Sequence, residues 1–130
     1  MKKIFTLMAT LLLASLAIGC SSSSGPYIDG TNMDSFKKSY SIILEKSTPE
    51  EQQTIKITEA KMWSEAVEEY TGYPINPTLL TMFNTTPDKR ADIEKIFLNN
   101  IDGLSKHEFV MIGSESENSQ YRKYIDRFDY

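Results

Sequence analysis

The chain has few of the side chains that build nucleophilic or metal-dependent catalytic sites. Its 130 residues include 1 cysteine, Cys20, and 1 histidine, His107. A single cysteine excludes an intramolecular disulfide. Catalytic triads need a histidine with matched partners, and zinc sites are usually built from several histidines and cysteines. The sequence therefore predicts no triad and no metal site, and we expect His107, next to Glu108, to be a surface residue.

Glycine is also sparse, and no motif for a phosphate or a calcium ion is present. The glycines of the domain are isolated and form no loop that could cradle a phosphate: Gly30, Gly72, Gly103 and Gly113. Asp29 and Asp34 lack the spacing of an EF-hand calcium loop. We therefore expect no cofactor, and we expect that the protein is not an enzyme.

The longest uncharged apolar run lies at the N-terminus, where Lys2 and Lys3 precede residues 4–18. The run is shorter than the roughly 20 apolar residues that a membrane-spanning helix needs. A basic start, an apolar centre and a small-residue end are the three parts of a secretory signal. The sequence predicts a signal peptide over residues 1–19, cleaved between Gly19 and Cys20.

The end of this segment, Leu16-Ala17-Ile18-Gly19-Cys20, resembles the lipobox of bacterial lipoproteins. Gly19 and Cys20 match that motif, whereas Ala17 and Ile18 depart from it and Leu16 stands one place early. The resemblance implies a diacylglycerol thioether on Cys20 and palmitate-type acylation of its amine. One chain of about 14 carbons binds membranes reversibly, whereas additional chains make the anchor stable. The alternative is an ordinary signal peptide, or an uncleaved anchor, with a chance cysteine.

Cleavage would leave residues 20–130, which is 111 residues and enough for one domain. Without Lys2 and Lys3, 12 basic and 18 acidic side chains remain, a formal charge of −6. This balance argues against a nucleic-acid partner, which would require a basic surface. In lipoproteins of enteric-type bacteria, Asp after the cysteine causes retention in the inner membrane. Ser21 stands here, so the resemblance favours the periplasmic face of the outer membrane.

The mature chain begins with a Ser/Gly/Pro stretch, Ser21–Pro26, which is typical of a flexible tether. We predict a tether over residues 20–30 and a single helical domain over residues 31–130. Thr31 or Asn32 can cap a first helix to about Lys46, and its apolar residues recur at helical spacing: Met33, Phe36, Tyr40, Ile43 and Leu44.

Three further helix starts are marked by a capping residue followed by proline. Thr48-Pro49-Glu50-Glu51 predicts a capping box and a helix to about Tyr70, ended by Gly72. Asn76-Pro77 predicts a short helix through Phe83, and Thr86-Pro87 repeats the arrangement before a helix that ends near Asp102-Gly103.

The C-terminal region gives weaker signals. Ser105 can cap a helix containing Phe109–Ile112, and a helical stripe returns over Tyr121–Phe128 after the polar residues 113–118. The stretch 106–128 is compatible with one helix or two, and Phe109–Ile112 alternatively with a short strand. The fold class predicted is all-α, a small bundle of four to six short amphipathic helices.

Parts of the mature chain resemble a family of small, mostly proteobacterial lipoproteins of uncharacterised function. The resemblance is carried by Tyr27–Ser39, with its Ile-Asp-Gly-Thr step, by Ser47–Glu51 and by Glu59-Ala60. It extends loosely to Asp102–Ser105, where Leu104 departs from the family pattern. The resemblance implies an exported helical lipoprotein and supplies no catalytic residues.

Tyrosines are numerous for a chain of this size, and they serve equally well in helix cores and in protein interfaces. Core filling is the favoured interpretation. If a partner surface exists, the candidates are the turn after the second helix and the C-terminal segment, through Tyr70, Tyr73, Tyr121, Tyr124 and Tyr130.

Three functions remain open at this stage. The first is a non-enzymatic envelope lipoprotein that binds another envelope protein or supports envelope structure. The second is an inhibitor or immunity lipoprotein that neutralises a cationic toxin or lysozyme-like enzyme. The third and least favoured is an envelope hydrolase that uses carboxylate pairs such as Glu65 with Glu68, or Glu115 with Glu117.

Overall fold

The computed structural model describes residues 25–128, so the predicted cleavage site at Gly19–Cys20 and Tyr130 lie outside the described residues. Over this described stretch, five α-helices and a 3-10 helix follow one another: α1 (Met33–Glu45), α2 (Pro49–Thr71), α3 (Pro77–Thr85), α4 (Pro87–Ile101), α5 (Lys106–Ser114) and the 3-10 helix (Ser116–Tyr124). The predicted all-α fold is confirmed.

Within residues 25–128, no helix combines the length and apolar character needed to cross a membrane.

Side-chain caps fix four of the five α-helix starts. Asn32 accepts the Ser35 N–H at 2.8 Å. Thr48 and Glu51 form the predicted capping box. The other two caps are made by the side chains of Asn76 and Ser105. Each such cap is worth about 1 kcal/mol, which explains why these starts could be located from sequence.

Thr86 precedes α4 as predicted, but the prediction that its side chain caps the helix is wrong. The Thr86 backbone is extended, with φ −117° and ψ 94°, and its hydroxyl makes no capping hydrogen bond. The start of α4 depends instead on Pro87, because proline at the first helical position has its φ already fixed and lacks the N–H that would need a partner.

Helix α2 lies at the centre of the domain and is buried on most of its sides by α4, α5 and the C-terminal segment, while α1 packs against α4. Trp63 of α2 contacts aromatic rings from several other elements. Its ring stacks on Phe97 of α4 with centroids 3.7 Å apart, and meets Phe83 of α3 edge-on at 5.1 Å. Phe128 stacks on the same indole at 5.6 Å. The aromatic side chains of three elements therefore converge on one residue of α2.

The segment Pro26–Gly30, predicted as tether, belongs to the folded domain. Ile28 is only 2% exposed. Its N–H donates to Leu104 O, and its carbonyl accepts from Gly103 N–H, both at 2.9 Å. The tether prediction is wrong over these residues, because burial of the Ile28 side chain attaches the segment to the turn between α4 and α5. The described fold begins at about Pro26.

The C-terminal region forms two elements rather than one. Phe109–Ile112 lies within α5, so the strand alternative is wrong. The predicted helical stripe after residue 120 is a 3-10 helix that ends at Tyr124. Asp126 then adopts a left-handed conformation, φ 67°, and the chain turns so that Phe128 reaches the core.

Candidate functional site

A groove runs between α3 and the C-terminal segment, and we call it the α3 groove. Its volume is about 600 Å³. Seven of the residues that the structure describes line it: Pro77, Leu80, Thr81, Asn84, Lys123, Tyr124 and Arg127.

The α3 wall of the groove is one face of that helix. Pro77, Leu80, Thr81 and Asn84 follow the spacing i, i+3, i+4 and i+7, which places them on the same side. Phe83 points to the other side and is fully buried against Trp63. This wall of the groove therefore packs on the core through Phe83. Its side chains that face the groove remain accessible.

The opposite wall is formed by the end of the 3-10 helix and the turn that follows it. The Lys123 ammonium lies over the Tyr124 ring, 5.1 Å from its centroid. Tyr124 is half-buried and packs against the core. Phe128 holds the segment that carries Arg127 in place, because its ring packs edge-on against Phe83 of α3, 5.5 Å away.

The groove is locally positive in an otherwise acidic protein. Lys123 and Arg127 line it, and none of the described residues that line it is acidic. The ion pairs found among residues 25–128 lie elsewhere: Lys61–Glu65, Arg90–Glu94 and Lys106–Glu51. Neither cation of the groove belongs to these pairs, and both side chains are exposed.

A second, smaller cleft of about 210 Å³ lies on the other side of Tyr124. Its lining residues mix both signs of charge with aromatic rings: Tyr40, Lys56, Glu59, Ala60, Tyr124, Ile125, Asp126 and Phe128. Asp126 thus borders this cleft rather than the α3 groove. The cleft has room for the end of one side chain.

A third cleft lies where the described chain begins. It is about 660 Å³ in volume, and Gly25 and Pro26 line it together with Glu51 at the start of α2 and with Lys106 and His107 at the start of α5. His107 is exposed. Within the described part of the chain, no group of three or more histidine, cysteine or acidic residues could hold a metal ion.

The four described tyrosines of the predicted partner surface do not form one surface. Tyr70 and Tyr73 are 38% and 68% exposed, whereas Tyr121 and Tyr124 are half-buried against the core. Burial, followed by the charge of Glu65, raises the pKa of Tyr121. Because Tyr70 lies about 140° around α2 from Glu65, Tyr70 and Tyr121 occupy different sides of the helix. Of the described tyrosines in that set, Tyr124 alone lines the α3 groove.

Lys123 and Arg127 were missed from sequence, although a signal was present. Arg122, Lys123 and Arg127 place three basic residues within six positions of an acidic chain. The α3 side of the groove lies in residues 71–100, where the family resemblance gave no match. Comparison of the chain with protein-family models, curated proteins and solved structures finds no match.

Proposed function

We propose that this protein is a lipid-anchored envelope protein whose domain binds another envelope protein and catalyses no reaction. The lipid on Cys20 holds it at the periplasmic face of the outer membrane. The observation that carries the binding function is the α3 groove, where a helix face packed on the core and two exposed cations border a space of about 600 Å³. The anchor is inferred from the signal peptide and the Gly19–Cys20 step.

The position of the groove supports this function. Gly25, closest in sequence to the anchor among the described residues, lies beside Glu51 near the start of α2. Helix α3 instead packs against α2 near Trp63, through the side chain of Phe83. The distance along α2 from Glu51 to Trp63 is about 18 Å at 1.5 Å per residue. The groove therefore lies away from the cleft where the described chain begins, which leaves it accessible to a partner.

The test is photo-cross-linking in intact cells. A photoreactive amino acid at Thr81 samples the groove, and the same amino acid at Lys38, exposed on α1, is the control. We expect a reproducible adduct of defined mass from position 81 that is absent from position 38. Irradiation that yields no adduct from position 81, with the protein present at its normal level, would contradict partner binding through this groove.

A second candidate function, inhibition of a cationic toxin or lysozyme-like enzyme, is favoured by one observation. Glu68 and Glu69 are exposed at the end of α2, and Glu65 lies one turn before them. Glu65 and Glu68 both lie close enough to raise the pKa of Tyr121. An acidic face with a tyrosine suits a basic enzyme surface.

This candidate is tested by the sensitivity of cells to such an enzyme. Glu65→Gln with Glu68→Gln should abolish protection, whereas the matched pair Glu115→Gln with Glu117→Gln should preserve it. Equal protection by both pairs would eliminate the inhibitor function through this face.

A further inference from the structure

We infer that the α3 groove takes an extended acidic peptide segment of the partner, with carboxylates at Lys123 and Arg127 and an apolar side chain on Leu80 and Tyr124. This inference rests on the proposed function and adds the chemistry of the bound segment.

Charge is the first reason. Carboxylates are the natural protein partners of lysine and arginine, and the arginine guanidinium can hold a carboxylate through two parallel hydrogen bonds. Lys123 and Arg127 stand on either side of the turn that follows the 3-10 helix. A segment bearing acidic residues at two positions can therefore satisfy both cations, while a single small anion would satisfy one.

The other lining groups suit a peptide better than a headgroup. Leu80 is half-buried beside the exposed ring of Pro77, which provides an apolar floor. Thr81 and Asn84 are exposed, and the Asn84 amide can both donate to a peptide carbonyl and accept from a peptide N–H. The Thr81 hydroxyl donates a hydrogen bond to Pro77 O at 2.9 Å, and its oxygen can still accept another hydrogen bond. Apolar contact alternating with main-chain hydrogen bonding is the pattern of bound peptides.

The test measures binding of a dye-labelled hexapeptide of alternating glutamate and leucine to the full lipidated mature protein in neutral detergent. A peptide with glutamine in place of glutamate is the ligand control. The variant is Lys123→Gln with Arg127→Gln. The matched protein control is Lys38→Gln with Lys95→Gln, which removes two positive charges at exposed positions outside the groove.

We expect the acidic peptide to bind and the glutamine peptide not to. The groove variant should weaken binding about five- to tenfold, the loss expected for two exposed charge pairs, while the control pair changes it less than about twofold. All four substitutions are at exposed positions, and circular dichroism checks that each protein remains folded.

Three results of this binding assay would overturn the inference. They are no binding of the acidic peptide, equal losses of affinity in the two double variants, and displacement of the labelled peptide by glycerol phosphate as effective as displacement by unlabelled acidic peptide. The last would assign the groove to a phosphate headgroup. If position 81 still cross-links a partner and the groove variant leaves that adduct unchanged, partner binding stands and the acidic-peptide inference fails. Absence of the position-81 adduct when Lys123 and Arg127 are unchanged contradicts the proposed function itself.

Discussion

Glu51 shows how one carboxylate can tie three parts of the domain together. It accepts the Thr48 N–H at 2.9 Å within the capping box and the Lys106 ammonium of α5 at 3.3 Å. Lys106 also donates to Lys46 O, just after α1, at 3.0 Å. The backbone hydrogen bond from Thr48, and then the one from Lys106, lower the pKa of Glu51 below its ordinary value of 4.5.

This lowered pKa predicts a pH-dependent contribution to stability. A carboxyl whose folded pKa is depressed stabilises the fold above its ordinary pKa, and that contribution is lost as the pH falls through the folded pKa. We expect the difference in unfolding free energy between the wild type and Glu51→Gln to be constant near neutral pH and to shrink below about pH 4.5. Urea unfolding over pH 3–7 measures it.

Glu117→Gln, which removes the same charge at an exposed position, is the control for that series. A difference between wild type and Glu51→Gln that stayed constant down to pH 3 would show that the Glu51 hydrogen bonds do not stabilise the folded carboxylate.

Gly113 marks the closest approach of α5 to α2. A Cβ at this position would lie 2.1 Å from Thr54 O and 2.8 Å from Thr58 Oγ1. The Thr58 hydroxyl donates to Phe109 O at 2.5 Å across the same interface. We expect Gly113→Ala to lower the free energy of unfolding by about 2–3 kcal/mol, the range for overpacking. Gly25→Ala, where an added Cβ meets nothing within 4 Å, is the matched control. Equal thermal stability of the two variants would refute this close packing.

At the scale of elements, helix starts were the most predictable features, because their determinants are local. Asn32, Thr48, Asn76 and Ser105 all cap helices as the sequence predicts. The 3-10 helix was not foreseen, since Tyr121 and Tyr124 satisfy three-residue and helical spacing alike. Ile28 was assigned to the tether because the partners that bury it, Leu104 and Gly103, lie more than seventy residues away in sequence.

The candidate site was less predictable than the fold. Tyr124 was proposed as a partner-surface residue and does line the α3 groove. The opposite wall is α3, about forty residues earlier, and no local pattern indicates that these two segments meet. Their meeting depends on Phe83 and Phe128 packing on the same side chain, Trp63. Only the tertiary structure contains that information.

This dependence makes the C-terminal segment testable as an element. Phe128 is its apolar attachment to the core, and its ring lies 5.6 Å from Trp63 and 5.5 Å from Phe83. We expect Phe128→Ala to cost about 3 kcal/mol of stability, because large-to-small aromatic changes in a core usually cost that much. It should also weaken binding of the acidic hexapeptide, because Arg127 loses its support. The exposed aromatic substitution Tyr73→Ala is the control, and indistinguishable results for the two would contradict this role.

At the scale of the whole molecule, the mature chain combines a net charge of −6 with one positive groove. The net charge disfavours adhesion to anionic headgroups, so in the proposed function the lipid at Cys20 supplies the attachment to a membrane. A partner that docks in the groove would then be met within the reach of the predicted tether from the bilayer. Each of these consequences follows from the anchor, which makes Cys20 the position that matters most.

The most direct measurement is the intact mass of the protein extracted from isolated membranes, compared with Cys20→Ser. We expect the wild type to have the mass of residues 20–130 plus two or three acyl groups, and Cys20→Ser to lack both that mass and the membrane anchor. An uncut, unacylated precursor of 130 residues, found in the membrane for both proteins, would contradict the lipoprotein assignment.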